Sequence, residues 1–150
     1  MSATDPKAAR RARLSTLAKA PSDRLLALWS AHAPEPPAHE ILRAPEIGTV
    51  MVRGRAGAVG APFNLGEMTV TRCAVRLASG TVGHGHVQGR DRQAALAAAL
   101  IDAACEDGQA EALEAAILAP LRAEAAARTS ARAARAAATK VEFFTMVRGD

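Results

Sequence analysis

Aromatic side chains are scarce in this 150-residue chain, which has no tyrosine, one tryptophan and three phenylalanines. Proteins that bind single-stranded nucleic acids stack the bases on aromatic side chains, so the scarcity argues against nucleic acid as a partner. The net charge of +4, carried mostly by arginine, keeps a free-standing basic nucleic-acid-binding protein open only as an alternative. Arginine equally suits phosphate, carboxylate or an acidic protein surface.

Cysteine is also rare, and its spacing fits no metal site. Cys73 and Cys105 lack the paired spacing of a zinc ribbon or an iron–sulfur loop, so we expect two small, buried, reduced residues. No apolar segment follows the N-terminal charges, and the apolar run at 94–101 is far shorter than the ~20 residues of a membrane span. The sequence predicts a cytoplasmic protein that has no membrane partner.

Recognisable catalytic motifs are missing as well. No serine lies in a nucleophile elbow, and the glycine-rich segment 54–60 lacks the Lys-Ser/Thr ending of a phosphate-binding loop. His84 and His86 lie at i and i+2, which would place two imidazoles on one strand face, but no third ligand has a fixed spacing to them. We therefore predict no metal site and name no catalytic residue.

The hydrophobic periodicity predicts an α+β protein of one domain. Helical patterns cover 5–32 and 91–139, with Asp5 and Asp91 as N-caps, and Pro120 divides the second region. Between them the period changes to two, which predicts a four-stranded antiparallel sheet over 39–87, with strands at 39–43, 49–55, 67–77 and 81–87. An apolar tail follows at 141–150.

Arginines recur at alternate positions of the predicted strands. Arg72 and Arg76 lie on the face opposite Cys73 and Val75, because successive side chains alternate, and Arg53 and Arg55 share a face of their own strand. Together with Arg90 and Arg92 they predict a surface for an anion or a partner, and a merely solvated face is the alternative.

The segment Gln88-Gly89-Arg90-Asp91 joins the last strand to a helix. Gly89 permits a sharp turn, Asp91 can cap the helix, and Arg90 is then presented at the helix N-terminus. A binding role for this turn is one interpretation, and a structural Arg–Asp pair is the other.

The last ten residues are unusually apolar for a chain end. Such a segment predicts a groove, in this chain or in a partner. We expect a partner interface at Phe143, Phe144, Met146, Val147 and Arg148.

Several of these segments together resemble the family of G subunits of the bacterial carbon–phosphorus lyase core complex, which degrades phosphonates. The resemblance spans nearly the whole chain after the first ten residues. The segments that carry it are RARL at 11–14, GE at 66–67, TRCAVRL at 71–77, GTVG at 80–83, VQGRD at 87–91, APL at 119–121 and FFTMVRGD at 143–150.

The resemblance implies an activity that belongs to a complex. With the H and I subunits and the ATPase-like L subunit, the G subunit takes part in transferring the ribose triphosphate of ATP to a phosphonate such as methylphosphonate. Adenine is released, and α-D-ribose 1-methylphosphonate 5-triphosphate forms. The implied partners are the H, I and J subunits, most directly I, together with the ATPase-like K and L proteins.

For this chain the resemblance implies a subunit of a transferase. We do not expect it to be catalytic alone or to bind a cofactor by itself, and ATP is a substrate of the complex. A non-catalytic assembly scaffold is the alternative. The anionic ligand or interface residues that we expect are Arg55, Arg72, Arg76, Gln88, Arg90 and Asp91.

Overall fold

Helices pack on one face of a small antiparallel sheet. The computed structural model describes residues 5–57 and 59–140. The helices are α1 (Pro6–Lys19), α2 (Ser22–His32), α3 (Arg92–Ala104), α4 (Ala110–Leu113) and α5 (Ala119–Ala138), and the strands are β1 (His39–Arg55), β2 (Pro62–Leu77) and β3 (Val82–Gln88). This is an α+β fold in which two helices precede the sheet and the other helices follow it, as the periodicity predicts. The predicted tail at 141–150 lies outside the described residues.

The sheet has three strands among the described residues, in the order β1-β2-β3, so the prediction of four is wrong. The two strands predicted at 39–43 and 49–55 form one strand of 17 residues. Pro45 lies between the two predicted strands, and a proline removes one ladder hydrogen bond. Here it lies in an edge strand, where register shifts between Ile41 and Glu46 absorb the irregularity, and a proline is tolerated at such a place.

The first two helices begin and end where the local sequence predicts. The Asp5 carboxylate accepts a hydrogen bond from the backbone N–H of Lys7 at 3.1 Å, with Pro6 at the first helical position. Helix α1 ends at Lys19, before Pro21, and α2 ends at His32, ahead of the proline-rich segment 34–37. Leu17, Leu25 and Trp29 bring both helices into the core.

Helix α3 lies at the centre of the fold, between the inner face of the sheet and the other helices. Ten of its 13 residues are buried, including seven alanines. A helix that is apolar all round belongs in an interior, and small side chains let its backbone approach its neighbours closely. Alanine in this core therefore sets short distances between elements.

The chain stays helical after α3, with local irregularities. Gly108 adopts φ +99° within the π-helical turn Cys105–Gln109, where the helix kinks. A second π-helical turn, Glu114–Leu118, precedes α5. Pro120 lies in the first turn of α5, where a backbone N–H has no partner within the helix, so the proline does not break the helix. Of α5, only Leu121 is buried.

Among the described residues, no helix combines the length and the apolar composition that crossing a membrane requires.

Candidate functional site

The outer face of the sheet, which no helix of the described residues covers, carries two of the predicted arginines. Thr71, Cys73, Val75 and Leu77 of β2 point into the core, and the residues between them point outward. Arg72 and Arg76 are consequently exposed on this face, as the strand alternation predicts.

Each of these two arginines has a carboxylate partner on β1. Arg72 stands opposite Glu46 in the register and donates from Nε to Oε1 at 2.6 Å. Arg76 stands opposite Glu40 and donates from Nη1 to Oε2 at 3.3 Å. Opposite charges across adjacent strands attract at this spacing, so cross-strand pairing orders both arginines.

Glu46 is shared between two arginines. Arg43 also donates to its Oε1, at 2.8 Å. Hydrogen bonds from Arg72 and then the charges of both guanidinium groups lower the pKa of the Glu46 carboxyl below its usual value. Since the partners are exposed, each pair adds little stability, but together they cancel much of the positive charge on this face.

The remaining predicted arginines lie elsewhere. Arg55 is at the far end of β1, opposite Pro62, and donates to the Gly60 carbonyl of the hairpin loop at 3.3 Å. Arg90 lies just beyond the end of β3, between β3 and α3, at the end of the three-stranded region from which the β1–β2 hairpin continues. The structure thus brings Arg72 and Arg76 together on one face but adds neither Arg55 nor Arg90 to them.

The turn after β3 is held in place by hydrogen bonds to β2. Gly89 has φ +95°, a conformation that favours glycine, and its N–H donates to the Thr69 carbonyl at 3.0 Å. Its carbonyl accepts a hydrogen bond from the buried Thr71 hydroxyl at 2.8 Å. Asp91 caps α3 by accepting from the Ala94 N–H at 2.9 Å, as predicted. The direction of the chain at this turn is therefore fixed.

Arg90 is exposed to solvent at this fixed turn, as is Gln88 at the end of β3. In the described part of the chain it has no ion pair or side-chain hydrogen bond, and the carboxylate of its neighbour Asp91 is used by the helix cap. A guanidinium that has no ion pair can bind an anion through charge-assisted hydrogen bonds. Of the predicted residues, Arg90 is therefore the best placed for an anionic ligand.

His84 and His86 project from β3 onto the outer face, opposite Ala74 and Arg72. Within residues 5–57 and 59–140, no three side chains of histidine, cysteine, aspartate or glutamate are grouped as a metal site requires. The alternation at 83–86 has a packing reason, because the two glycines face α3 and the histidines face solvent.

The structure contains a buried ionic cluster that the sequence did not predict. The Asp102 carboxylate of α3 is 0% exposed and accepts hydrogen bonds from Arg10 at 2.7 Å, from Arg13 at 3.0 Å and from the backbone N–H of His84 at 3.0 Å. Arg13 also pairs with Glu106. The cluster connects α1, α3 and β3, so its position indicates a structural role.

Two sequence signals could have pointed to this cluster. Asp102 interrupts an otherwise apolar run in α3, and a buried carboxylate requires partners. Arg10 and Arg13 are spaced i and i+3, which places them on one face of α1. Their pairing joins residues about ninety positions apart, which local patterns do not reveal.

The two cysteines are buried, as predicted. Burial raises the pKa of both thiols, that of Cys105 to about 11, although the nearby Arg13 opposes the shift. At neutral pH both are protonated and therefore poor nucleophiles.

Comparison with known proteins gives matches over nearly the whole chain. The family model described as phosphonate metabolism protein PhnG matches residues 8–149. A curated protein of Rhizobium meliloti (strain 1021), named alpha-D-ribose 1-methylphosphonate 5-triphosphate synthase subunit PhnG, is 44% identical over 147 residues. The match covers 95% of this chain and 91% of that protein. It is therefore not confined to one element or motif.

Proposed function

The chain belongs to the PhnG family of phosphonate metabolism proteins, which confirms the family resemblance in its sequence, and on this basis we propose that it is a subunit of an α-D-ribose 1-methylphosphonate 5-triphosphate synthase. The observation that carries the proposal is the 44% identity with a subunit of that name, over nearly the full length of both chains. A shared single motif would carry much less, because one fold hosts many functions.

In this role the chain works with other subunits in the cytoplasm. The complex transfers the ribose triphosphate of ATP to methylphosphonate and releases adenine. The partners are the H, I and J subunits, with I the most direct, and the ATPase-like K and L proteins act in the same pathway. This chain contributes a co-catalytic or assembling surface, since both thiols are buried and the best-placed candidate, Arg90, is a binding group.

Reconstitution of the synthase tests the proposal. Purified H, I and L subunits would be incubated with ATP and methylphosphonate, with and without this chain, and adenine release followed by chromatography. We expect release only when the chain is present. Equal release without it, from subunits shown to be free of their own G subunit, would contradict the proposal.

Arg90 is the residue that we expect to contact the triphosphate or the phosphonate. Arg90→Ala should weaken substrate binding by the value of one charge-assisted hydrogen bond, about 1.5–3 kcal/mol, which is roughly ten- to 150-fold. The apparent KM for ATP and for methylphosphonate in the reconstituted synthase measures the effect.

Arg132→Ala provides the matched control for Arg90→Ala. Arg132 is also exposed, and it lies on α5, away from the turn after β3. The control should leave both KM values unchanged. If Arg90→Ala behaves like the control while both variants assemble normally, Arg90 does not bind substrate.

An assembly scaffold is the second candidate, and the pairing on the outer face favours it. Arg72 and Arg76 already have partners in Glu46 and Glu40, so an anionic ligand would have to displace a carboxylate. Crosslinking with an azido derivative of ATP separates the two roles, because a scaffold that never meets the nucleotide would remain unlabelled in the active complex.

The C-terminal segment belongs to the same proposal as a partner interface, although it lies outside the described residues. Deleting 141–150 should abolish assembly, since the deletion removes both C-terminal phenylalanines and Met146. Co-purification with the I subunit measures the result, with thermal unfolding of the truncated chain as control. A stable complex of the truncated, folded chain would refute this role.

A further inference from the structure

The first hairpin extends well beyond the rest of the sheet. Strand β3 pairs with β2 only from Val70 to Arg76, whereas β1 and β2 continue to pair as far as Arg55 and Pro62. We call residues 49–69 the arm. With seven or eight residues per strand, the arm projects roughly 25 Å past the third strand.

Large apolar side chains are exposed along this hairpin. Seven are exposed in the described part of the chain, all of them on β1, β2 or the loop between them. Four lie in the arm, namely Met51 at 52%, Val59 at 95%, Phe63 at 44% and Leu65 at 66% exposure. The helices, by contrast, bury or half-bury their large apolar residues. The exposure is therefore concentrated on one element.

The arm has an apolar face. Phe63 stands opposite Gly54 in the register, and the Leu65 side chain lies 3.7 Å from where a Cβ on Gly54 would be, so the two side chains share a face. Val52 belongs to the same face and stands opposite Gly66. Because glycine presents no side chain at either cross-strand position, Phe63 and Leu65 remain uncovered.

The other face is mixed and carries both arginines of the arm. Met51, Arg53 and Arg55 alternate with the apolar face and stand opposite Glu67, Asn64 and Pro62. The arm contains two arginines and one glutamate, and no carboxylate of the described residues pairs with either arginine. The arm thus combines uncovered apolar side chains with uncompensated positive charge.

A two-stranded ribbon with such a surface needs a partner. An isolated hairpin is marginally stable in water, and contiguous exposed apolar surface marks an interaction site. Charge decides the kind of partner. A second copy of this chain would bring arginines towards arginines between molecules that each carry a net charge of +4, whereas a chain with carboxylates would compensate Arg53 and Arg55.

We propose that the arm docks into an apolar groove, bordered by carboxylates, on another protein subunit of the synthase. Phe63 and Leu65 fill the groove, and Arg53 and Arg55 pair with its rim. The inference rests on the proposed function for the identity of that subunit. It adds an interface formed by the hairpin to the Arg90 site and the C-terminal interface proposed above.

The test measures the affinity of the full-length chain for the purified assembly of the other synthase subunits by biolayer interferometry. Phe63→Glu with Leu65→Glu places two negative charges on the apolar face. Ala27→Glu with Ala31→Glu places the same two charges on exposed positions of α2 and is the matched control. We expect the arm variant to bind on the order of a hundredfold more weakly, since central apolar anchors dominate interface energies, and the control to bind like wild type.

Hydrogen exchange supplies a second measurement that does not depend on a variant. In the wild-type complex the amides of the arm should exchange more slowly than in the free chain, while those of α3 remain unchanged. If the wild-type chain binds and the arm variant binds equally tightly, the arm inference is wrong and the proposed function stands. If the wild-type chain binds none of the subunits, both fail.

Two other occupants would also overturn the inference. A free chain that is dimeric, and that the arm variant makes monomeric, would assign the arm to a second copy. Faster exchange of the arm amides in a free chain truncated after Lys140 would assign it to the chain's own C-terminal segment. Light scattering and exchange on the free proteins separate these outcomes from the proposed one.

Discussion

Asp102→Ala should lower the free energy of unfolding by about 3–5 kcal/mol, the usual cost of removing one partner from a buried ion pair. The Asp102 side chain is fully buried, and that of Arg13 is 9% exposed, so Arg13 would lose one of its two carboxylate partners with little access to water. The backbone N–H of His84 would lose its acceptor as well. Urea unfolding followed by circular dichroism measures the change.

Two further variants separate burial from charge in this prediction. Asp102→Asn keeps the volume and an acceptor oxygen, so its cost should fall between those of wild type and Asp102→Ala. Glu124→Ala removes the exposed partner of Arg24 and should cost at most about 1 kcal/mol. If Asp102→Ala costs no more than Glu124→Ala, the buried cluster does not hold α1 and α3 against the sheet.

Gly85→Ala should destabilise the protein by about 2–3 kcal/mol or more, because overpacking moves a backbone that cannot yield locally. A Cβ at Gly85 would lie 2.0 Å from the Ala95 carbonyl oxygen and 2.8 Å from the Ala99 nitrogen. Since these atoms belong to the helix backbone, no change of side-chain rotamer relieves the clash. Helix α3 would have to move away from β3 and open the core.

Gly48→Ala is the matched control, since Gly48 also lies within a strand and has nothing within 4 Å of its would-be Cβ. Its effect should stay within about 1 kcal/mol and can be stabilising, because alanine restricts the unfolded chain more than glycine does. Thermal and urea unfolding of the two variants give the comparison. Equal stabilities of the two variants would show that α3 does not pack as closely against β3 as the structure gives.

Gly83 and Gly85 account for the spacing of the two histidines. The pattern Gly83-His84-Gly85-His86 resembles a metal-binding spacing when only the histidines are considered. In the fold the glycines are the constrained residues, since a Cβ at Gly83 would lie 2.1 Å from the Ala99 carbonyl oxygen. The close approach of α3 to β3 therefore requires glycine at positions 83 and 85.

Much of the local structure was predictable. The caps at Asp5 and Asp91 depend on a side chain and an N–H two or three residues away, and the inward and outward positions of β2 depend on the period of two. The family was recognisable from segments spread over the chain, and its match at residues 8–149 confirms it. These properties follow from interactions within one element or from residue identity alone.

Other features depended on residues distant in sequence. Whether Pro45 ends a strand is decided by the bulged pairing of β1 with β2, and whether the outer arginines are free is decided by Glu40 and Glu46 across the strands. The partners of Asp102 come from a helix about ninety residues away.

The sequence by itself determined the limits of α1 and α2, the N-cap of α3, the faces of the central strand, the α+β class and the family. Only the tertiary structure decided the strand count, the buried ionic cluster, the contact of α3 with the glycines of β3, and the exposure of the arm. The physical reason is the sequence separation over which each interaction acts. Caps and periodicity act over a few residues, whereas burial and ion pairing depend on which distant segments meet, and a local pattern does not specify that meeting.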